Sequence, residues 1–148
     1  MKIRDILASK PWRSIVSVRP DKPVTAIPAL FDENNISSVL VVDAHGHLHG
    51  IVTDRNFLSA MARNGKRFFE QPVSSIMQSP APTCVDSDAV TDAMRRMTQD
   101  RIRHLVVLDD DHVAGIVSIG DLVKSRLNEI EMESRVLRDM ALGRLSAV

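Results

Sequence analysis

The stretch Ile102–Val123, IRHLVVLDDDHVAGIVSIGDLV, decides how the rest of the chain is read. Arg103 to Leu108 is a run rich in branched apolar residues that stops at Asp109-Asp110-Asp111. Val113 to Val117 is apolar again, so the pattern is a strand, a tight turn and a returning strand. Ser118 closes the second strand, and Asp121 follows three residues later, where a helix begins and runs on through Leu122. A hydroxyl at the strand exit and a carboxylate in the first helical turn bring two oxygen-bearing groups beside unpaired helix N–H groups, a setting suited to phosphates and sugars. Ser-x-x-Asp is also an ordinary helix start.

The same stretch occurs twice. Asn35 to Asp43 (NISSVLVVD) lies over Arg101 to Asp109 (RIRHLVVLD) at a spacing of 66 residues, and Gly50-Ile51-Val52-Thr53 lies over Gly115-Ile116-Val117-Ser118 at 65. Val24, Ile27 and Phe31 match Val90, Ala93 and Met97, again 66 residues on. One extra residue in the first turn relates the two halves. Two copies of this length imply paired halves, since a solenoid needs three or more.

Strand, helix, Val-Val-Asp strand, turn, Gly-Ile-Val-[Ser/Thr] and helix, present twice, resembles a tandem pair of CBS domains, also called a Bateman module. The likeness covers residues 1 to 127 and is densest from His104 to Val123. It implies an α+β fold of two CBS repeats, each a small β-sheet with two packing helices, related by a pseudo-twofold axis and followed by a C-terminal helix. The first CBS domain is then expected at residues 1–66, the second at 67–127 and a helical tail at 128–148. Small stand-alone bacterial proteins of this type sense adenine-containing ligands in the cleft between the copies.

Carried over residue by residue, the resemblance implies one cleft that sets adenine against Ser14, Ile15, Val16, Ile36 and Ser37. Asp121 would accept from the ribose hydroxyls, Ser118 would meet phosphate, and Arg103 and His104 would supply donors and positive charge. An ionised Asp facing a diol and an Arg facing phosphate are charge-assisted pairs. A second, weaker site would set Pro80, Ala81, Pro82 and Ile102 against Thr53 and Asn56. Asn56 stands where the family has aspartate, which removes a charge-assisted component of about 1 kcal/mol. Ser37 and Ser38 stand where Arg103 and His104 do, leaving Arg55 as the substitute cation. The expected ligand is an adenine nucleotide (AMP, ADP, ATP or a related adenosyl compound), AMP first, acting as a regulatory ligand with no catalytic cofactor. The alternative is a structural or partner-binding dimer whose ligand sites have degenerated.

Composition narrows the function classes. At 148 residues and 44% hydrophobic, the chain holds one compact unit or two small halves that are each marginal alone and are expected to share an interface. No apolar run approaches the roughly 20 residues of a membrane span, and Met1-Lys2-Ile3-Arg4-Asp5 lacks the apolar core of a signal peptide. A single cysteine, Cys84, excludes an internal disulfide and a multi-cysteine zinc site, which suits the cytoplasm. Nineteen basic and nineteen acidic residues leave no net charge to attract nucleic acid, and aromatics at 3% with no Tyr leave few stacking platforms. Trp12, Phe31, Phe57, Phe68 and Phe69 read as packing residues. No paired carboxylates, nucleophile–base pair or phosphate-cradling glycine loop marks an enzyme.

The remaining segments follow from periodicity. Ile3, Ile6 and Leu7, and again Val73, Ile76 and Met77, predict a short helix ahead of each copy. Lys10 to Arg13 reads as a loop and Ser14 to Val18 as a short strand. A helix from about Val24 to Asn35 buries Val24, Ile27, Leu30 and Phe31; it starts at Pro23 with a kink at Pro28, or later with Thr25 as cap. Asp54 to Asn64 is helical, with Phe57, Leu58 and Met61 apolar and Gly65 ending it, and Phe68 and Phe69 pack in the connection that follows. Asp88 is expected to cap a helix with Val90, Ala93, Met94 and Met97 inward, and Cys84, aligned with Val18, reads as a buried inert thiol.

His45, His47 and His49 invite a metal reading, because imidazoles ligate zinc and nickel. Turn residues do not keep strand alternation, no carboxylate obviously completes the set, and His112 takes the place of His47 in the second copy, so no metal is assigned. In the final helix, from Asp121, the residues Val123, Leu127, Ile130, Ser134, Leu137 and Ala141 step by four and three, a seam for another helix. A homodimer is expected, with output through that dimer or a separate effector protein. Gly143 to Val148 is expected to fray.

Overall fold

The computed structural model describes residues 1–10 and 15–146, with no side-chain placement beyond Gly143. The readings that fell on Pro11, Trp12, Arg13 and Ser14 therefore lie outside the described residues. The elements in order are α1 (Ile3–Ser9), β1 (Ser17–Val18), α2 (Ile27–Asn34), β2 (Ser38–Val42), β3 (Leu48–Thr53), α3 (Asp54–Asn64), β4 (Thr83–Val85), α4 (Val90–Asp100), β5 (His104–Asp109), β6 (His112–Ser118) and α5 (Ile119–Ser146). They form two three-stranded sheets, β1-β2-β3 and β4-β5-β6. The chain divides into two compact units, one of Pro11–Thr83 and one of Met1–Lys10 with Cys84–Val148.

In the contiguous unit β1 runs parallel to β2, with Ser17 beside Leu40, and β2 pairs antiparallel with β3, with Val39 opposite Val52. Alternation sends Val39, Val41 and Val52 to one sheet face, where Val24, Ile27, Phe57, Ala60, Phe68, Val73 and Ile76 cover them. The Phe57 and Phe68 rings meet edge to face at 4.8 Å. Each large apolar side chain buried this way contributes roughly 1.5–3 kcal/mol.

The other unit repeats the plan. β5 pairs antiparallel with β6, Val106 opposite Ile116. Leu105, Val107 and Val117 pack against Val90, Ala93 and Met97 of α4, Ile3 and Ile6 of α1, Leu122 of α5 and Cys84. Asp110 and Asp111 both sit in the left-handed region (φ 47 and 63), forming a two-residue turn whose twist matches the flanking strands. Both α2 and α4 end on a left-handed residue, Asn35 (φ 51) and Arg101 (φ 55), at matching repeat positions.

The leading segments are exchanged between repeats. α1 precedes the first repeat in sequence but packs with the second, where Ile3 N–H donates to Asp88 O and Arg4 N–H to Asp86 O. Val73 to Gln78 precedes the second repeat but packs with the first: Val73 N–H donates to Lys22 O, and Gln78 and Ile51 exchange backbone bonds of 2.8 and 3.1 Å. Sequence repeats and compact units are thus different divisions of this chain. Two glycines record the contact. A Cβ at Gly50 would lie 2.5 Å from Gln78 O, and one at Gly115 would lie 2.9 Å from Leu7 Cδ2.

Several local expectations are corrected. Val73–Ser75 is a single 3-10 turn where a helix was predicted, because the bridge to Ile51 draws Gln78 into an extended conformation. Of the two starts for α2, neither holds: Val24–Ala26 forms a 3-10 turn, Ala26 is the cap, and Pro28 falls in the first helical turn, where its missing N–H costs nothing. Asp88 does not cap α4. Ala89 takes that position while Asp88 Oδ2 accepts from Val85 N–H at 3.0 Å. Strand β1 covers only Ser17–Val18. Phe68 is buried, Phe69 packs edge to face on its ring at 5.4 Å while staying exposed, and Leu58 is exposed. α5 starts at Ile119, directly after Ser118, and runs to Ser146. Its exposed apolar residues include Leu127, Ile130 and Leu137 of the predicted seam, and also Met132, Val136, Met140 and Leu142, outside it.

Candidate functional site

The Ser118–Asp121 pair forms as its spacing predicts. Asp121 N–H donates to Ser118 Oγ (3.1 Å) and Ser118 N–H donates to Asp121 Oδ2 (2.9 Å), a reciprocal box that closes the start of α5. Ile119 N–H donates to Arg103 O at 2.8 Å, which ties this helix start to the residue preceding β5. Arg103 is exposed beside it, and His104 is buried.

A residue that sequence reasoning did not select completes the arrangement. Lys10, at the end of α1, places Nζ 2.9 Å from Asp121 Oδ2 and donates to Ile116 O at 2.9 Å. Both side chains are mostly shielded, at 21% and 24% exposure. Burial pushes the Asp121 carboxyl toward protonation, but the Lys10 ammonium and the Ser118 donors together outweigh it and hold the group below its ordinary value. Asp121 is therefore an ionised, half-buried acceptor next to a cation.

The first repeat builds the same scaffold without charge. Asn56 N–H donates to Thr53 Oγ1 (3.1 Å), Thr53 N–H donates to Asn56 Oδ1 (3.0 Å), and Asp54 N–H donates to Ser37 O (3.0 Å). In this unit the leading segment ends in Ser79, whose Oγ donates to His49 O at 2.7 Å. Of the residues expected to contact a base, Ile15 is exposed, and Val16 and Ile36 are half-buried against their own unit's core. Ser37 is half-buried, and Ser14 lies outside the described residues. Of the weaker set, Pro80 is exposed, Ala81 buried and Pro82 half-buried, while Ile102 packs against the core of the other unit.

The histidine-rich turn does acquire a carboxylate. Asp43 Oδ1 accepts from the His45 and His47 N–H groups (2.8 and 3.0 Å), and Oδ2 lies 2.8 Å from His49 Nε2. The His49 contact and these turn bonds hold the Asp43 carboxyl far below its usual range. Among the described residues no group of three or more His, Cys, Asp or Glu is arranged to hold a metal ion. Nor is any described helix long and apolar enough to cross a membrane.

The comparisons with known proteins agree with this architecture. The CBS domain family model matches residues 3–63 and 73–128, one match over each box. CBS domain-containing protein YhcV of Bacillus subtilis is 28% identical over 117 residues, covering 77% of this chain and 80% of that one. The crystal structure of the CBS-domain containing protein ATU1752 from Agrobacterium tumefaciens matches with a TM-score of 0.80 at 34% identity, over 84% of this chain and 92% of that chain. The CBS domain pair of protein MJ0100, solved in complex with 5′-methylthioadenosine and S-adenosyl-L-methionine, matches with a TM-score of 0.74 at 25% identity, over 87% and 98%. With both repeats matched and each closed by its own Ser/Thr box, the chain belongs to the CBS domain family, as a tandem pair.

Proposed function

We propose that this pair is a regulatory module that binds an adenine nucleotide, AMP in preference to ADP, ATP or another adenosyl ligand, and signals by a change in conformation. The observation that carries the reading is the ionised, half-buried Asp121 carboxylate locked to Ser118 at the start of α5. Such a group accepts from a ribose diol by charge-assisted hydrogen bonds. The adenosyl compounds bound by the MJ0100 pair support the ligand class. In this reading Asp121 holds the ribose, Ser118, Arg103 and His104 hold phosphate, and Ser14, Ile15, Val16, Ile36 and Ser37 contact the base. Pro80, Ala81, Pro82, Ile102, Thr53 and Asn56 make a weaker second site, because Asn56 brings no charge. The module acts in the cytoplasm on a separate effector and performs no catalysis. The experiment is mass spectrometry of small molecules released from the purified protein, followed by calorimetric titration with AMP. Release of no adenosyl compound, with no heat from AMP, ATP or S-adenosylmethionine, would overturn it.

A second reading, a dimeric partner-binding module, is favoured by one observation: the 28-residue α5 leaves Leu127, Ile130, Leu137 and Leu142 exposed. Homodimerisation through this helix is compatible with ligand sensing. Light scattering at micromolar concentration should give a dimer, and Leu127→Asp with Leu137→Asp should give a monomer; a wild-type monomer would sink the idea.

A further inference from the structure

We propose that Lys10 makes this site select a phosphorylated adenosyl ligand over an uncharged one: Asp121 holds its ammonium until a ribose diol takes that carboxylate, and the ligand's phosphate then receives it. The inference rests on the adenosyl-binding reading above. It comes from Asp121 Oδ2, which already serves two donors, Lys10 Nζ at 2.9 Å and Ser118 N–H at 2.9 Å. The Ser118 bond is part of the helix cap and stays with the fold. A diol that engages the carboxylate with both hydroxyls, one to each oxygen, brings a third donor to Oδ2 and so competes there with Lys10. Once displaced, the half-buried ammonium would keep Ile116 O but lose its counter-ion. A mostly shielded cation without an anion is costly. Adenosine supplies no anion, whereas a nucleotide supplies its phosphate at the same moment as its diol.

The side chain and its anchor suit the exchange. Lysine carries a point charge on a flexible four-carbon stem, so the ammonium can move between two oxygens while the backbone stays still. The Lys10 backbone is pinned by its N–H bond to Ile6 O at the end of α1. The Thr53–Asn56 box has a neutral amide in place of Asp121, and the spacing that matches Leu7 with Met77 puts the uncharged Pro80 where the other leading segment has Lys10. The same exchange cannot operate there.

The test is calorimetric titration of AMP and adenosine into the wild-type protein, Lys10→Met and Lys10→Arg, with thermal melting confirming that each is folded. Wild type should bind AMP at least about tenfold more tightly than adenosine, the scale of one charge-assisted bond. In Lys10→Met, AMP should weaken by about tenfold while adenosine binds equally or more tightly, since no ammonium competes for Asp121. Lys10→Arg should keep the preference for AMP. Equal weakening of both ligands in Lys10→Met would make Lys10 a structural residue and overturn the proposal. Equal affinity of wild type for the two would overturn it too, leaving the adenosyl reading intact. If wild type binds neither, the adenosyl reading fails and this inference with it. Should Lys10→Met not fold, Lys10→Gln, which can still donate to Ile116 O, replaces it.

Discussion

Lys10 Nζ and Asp121 Oδ2 are 2.9 Å apart in space and 111 residues apart in the chain. The contact joins the C-cap of α1 to the start of α5 and so fixes the leading helix to the second repeat just past its last turn. Lys10→Met should lower the unfolding free energy at neutral pH by about 1 kcal/mol, above the median for exposed ion pairs and below that for breaking fully buried ones. The pH dependence has a definite sign. Because folding lowers the Asp121 pKa, its contribution is complete above the unfolded carboxyl value of about 3.9 and is lost as pH falls through the folded value beneath it. Urea unfolding should show a constant gap between wild type and Lys10→Met at neutral and mildly acidic pH, closing in strong acid. A gap that persisted in strong acid would assign the effect to packing of the lysine stem.

The two boxes predict unequal effects on ligand. Asp121→Ala should weaken AMP binding by about 1.5–3 kcal/mol, the range for hydrogen bonds to a charged group, and Asn56→Ala by much less. Equal losses at the two positions in a calorimetric titration would refute the asymmetry.

Substitution of the two return-strand glycines should differ in a way their neighbours dictate. A Cβ at Gly50 meets a backbone carbonyl, Gln78 O, while one at Gly115 meets only the tip of Leu7. Gly50→Ala should destabilise by about 1–3 kcal/mol as an overpacking change, because the backbone must shift. Gly115→Ala should cost less, and combining it with Leu7→Ala should show positive coupling in a double-mutant cycle. Denaturant midpoints of the four variants settle the order.

Cys84 should be unreactive in the folded protein. Burial, reinforced by the nearby Asp88 charge, pushes its thiol up to about 11, so thiolate is scarce at neutral pH. Iodoacetamide at pH 8 should label it only after unfolding in urea. Rapid labelling of the native protein would show that the second unit opens around β4.

What could be read from the chain was whatever local periodicity or fixed spacing encodes. The paired hairpins, the Ser118–Asp121 box and the buried faces of α2 and α4 all arise from residues within a few positions of one another. The exchange of leading segments could not be read this way. Ile3-Ile6-Leu7 and Val73-Ile76-Met77 carry the same apolar spacing, yet the first is a helix and the second a 3-10 turn, because only Gln78 is drawn into a bridge with Ile51. Lys10 escaped for the same reason: a lysine in an apparent loop has no local signature, and its partner lies in the other repeat. Asp43 was overlooked because a carboxylate at the end of β2 meets His49 only when the intervening turn closes. Leu58, Phe69 and the extra apolar residues of α5 show a further limit, since hydrophobicity marks what prefers burial without saying what in the chain will bury it.

The exchanged leading segment also sets an order of events during synthesis. Pro11–Thr83 is contiguous and can close once Val73 to Gln78 has emerged, but α1 is made before it and belongs to the unit completed after it. Lys10 precedes its carboxylate by 111 residues, so at about 5–20 residues per second the helix waits roughly 5–20 seconds with Ile3 and Ile6 unburied. During that interval the surface it needs is available only on an already finished neighbour. On a crowded messenger, one nascent chain's α1 and another's β6 are therefore a ready route to swapped pairs.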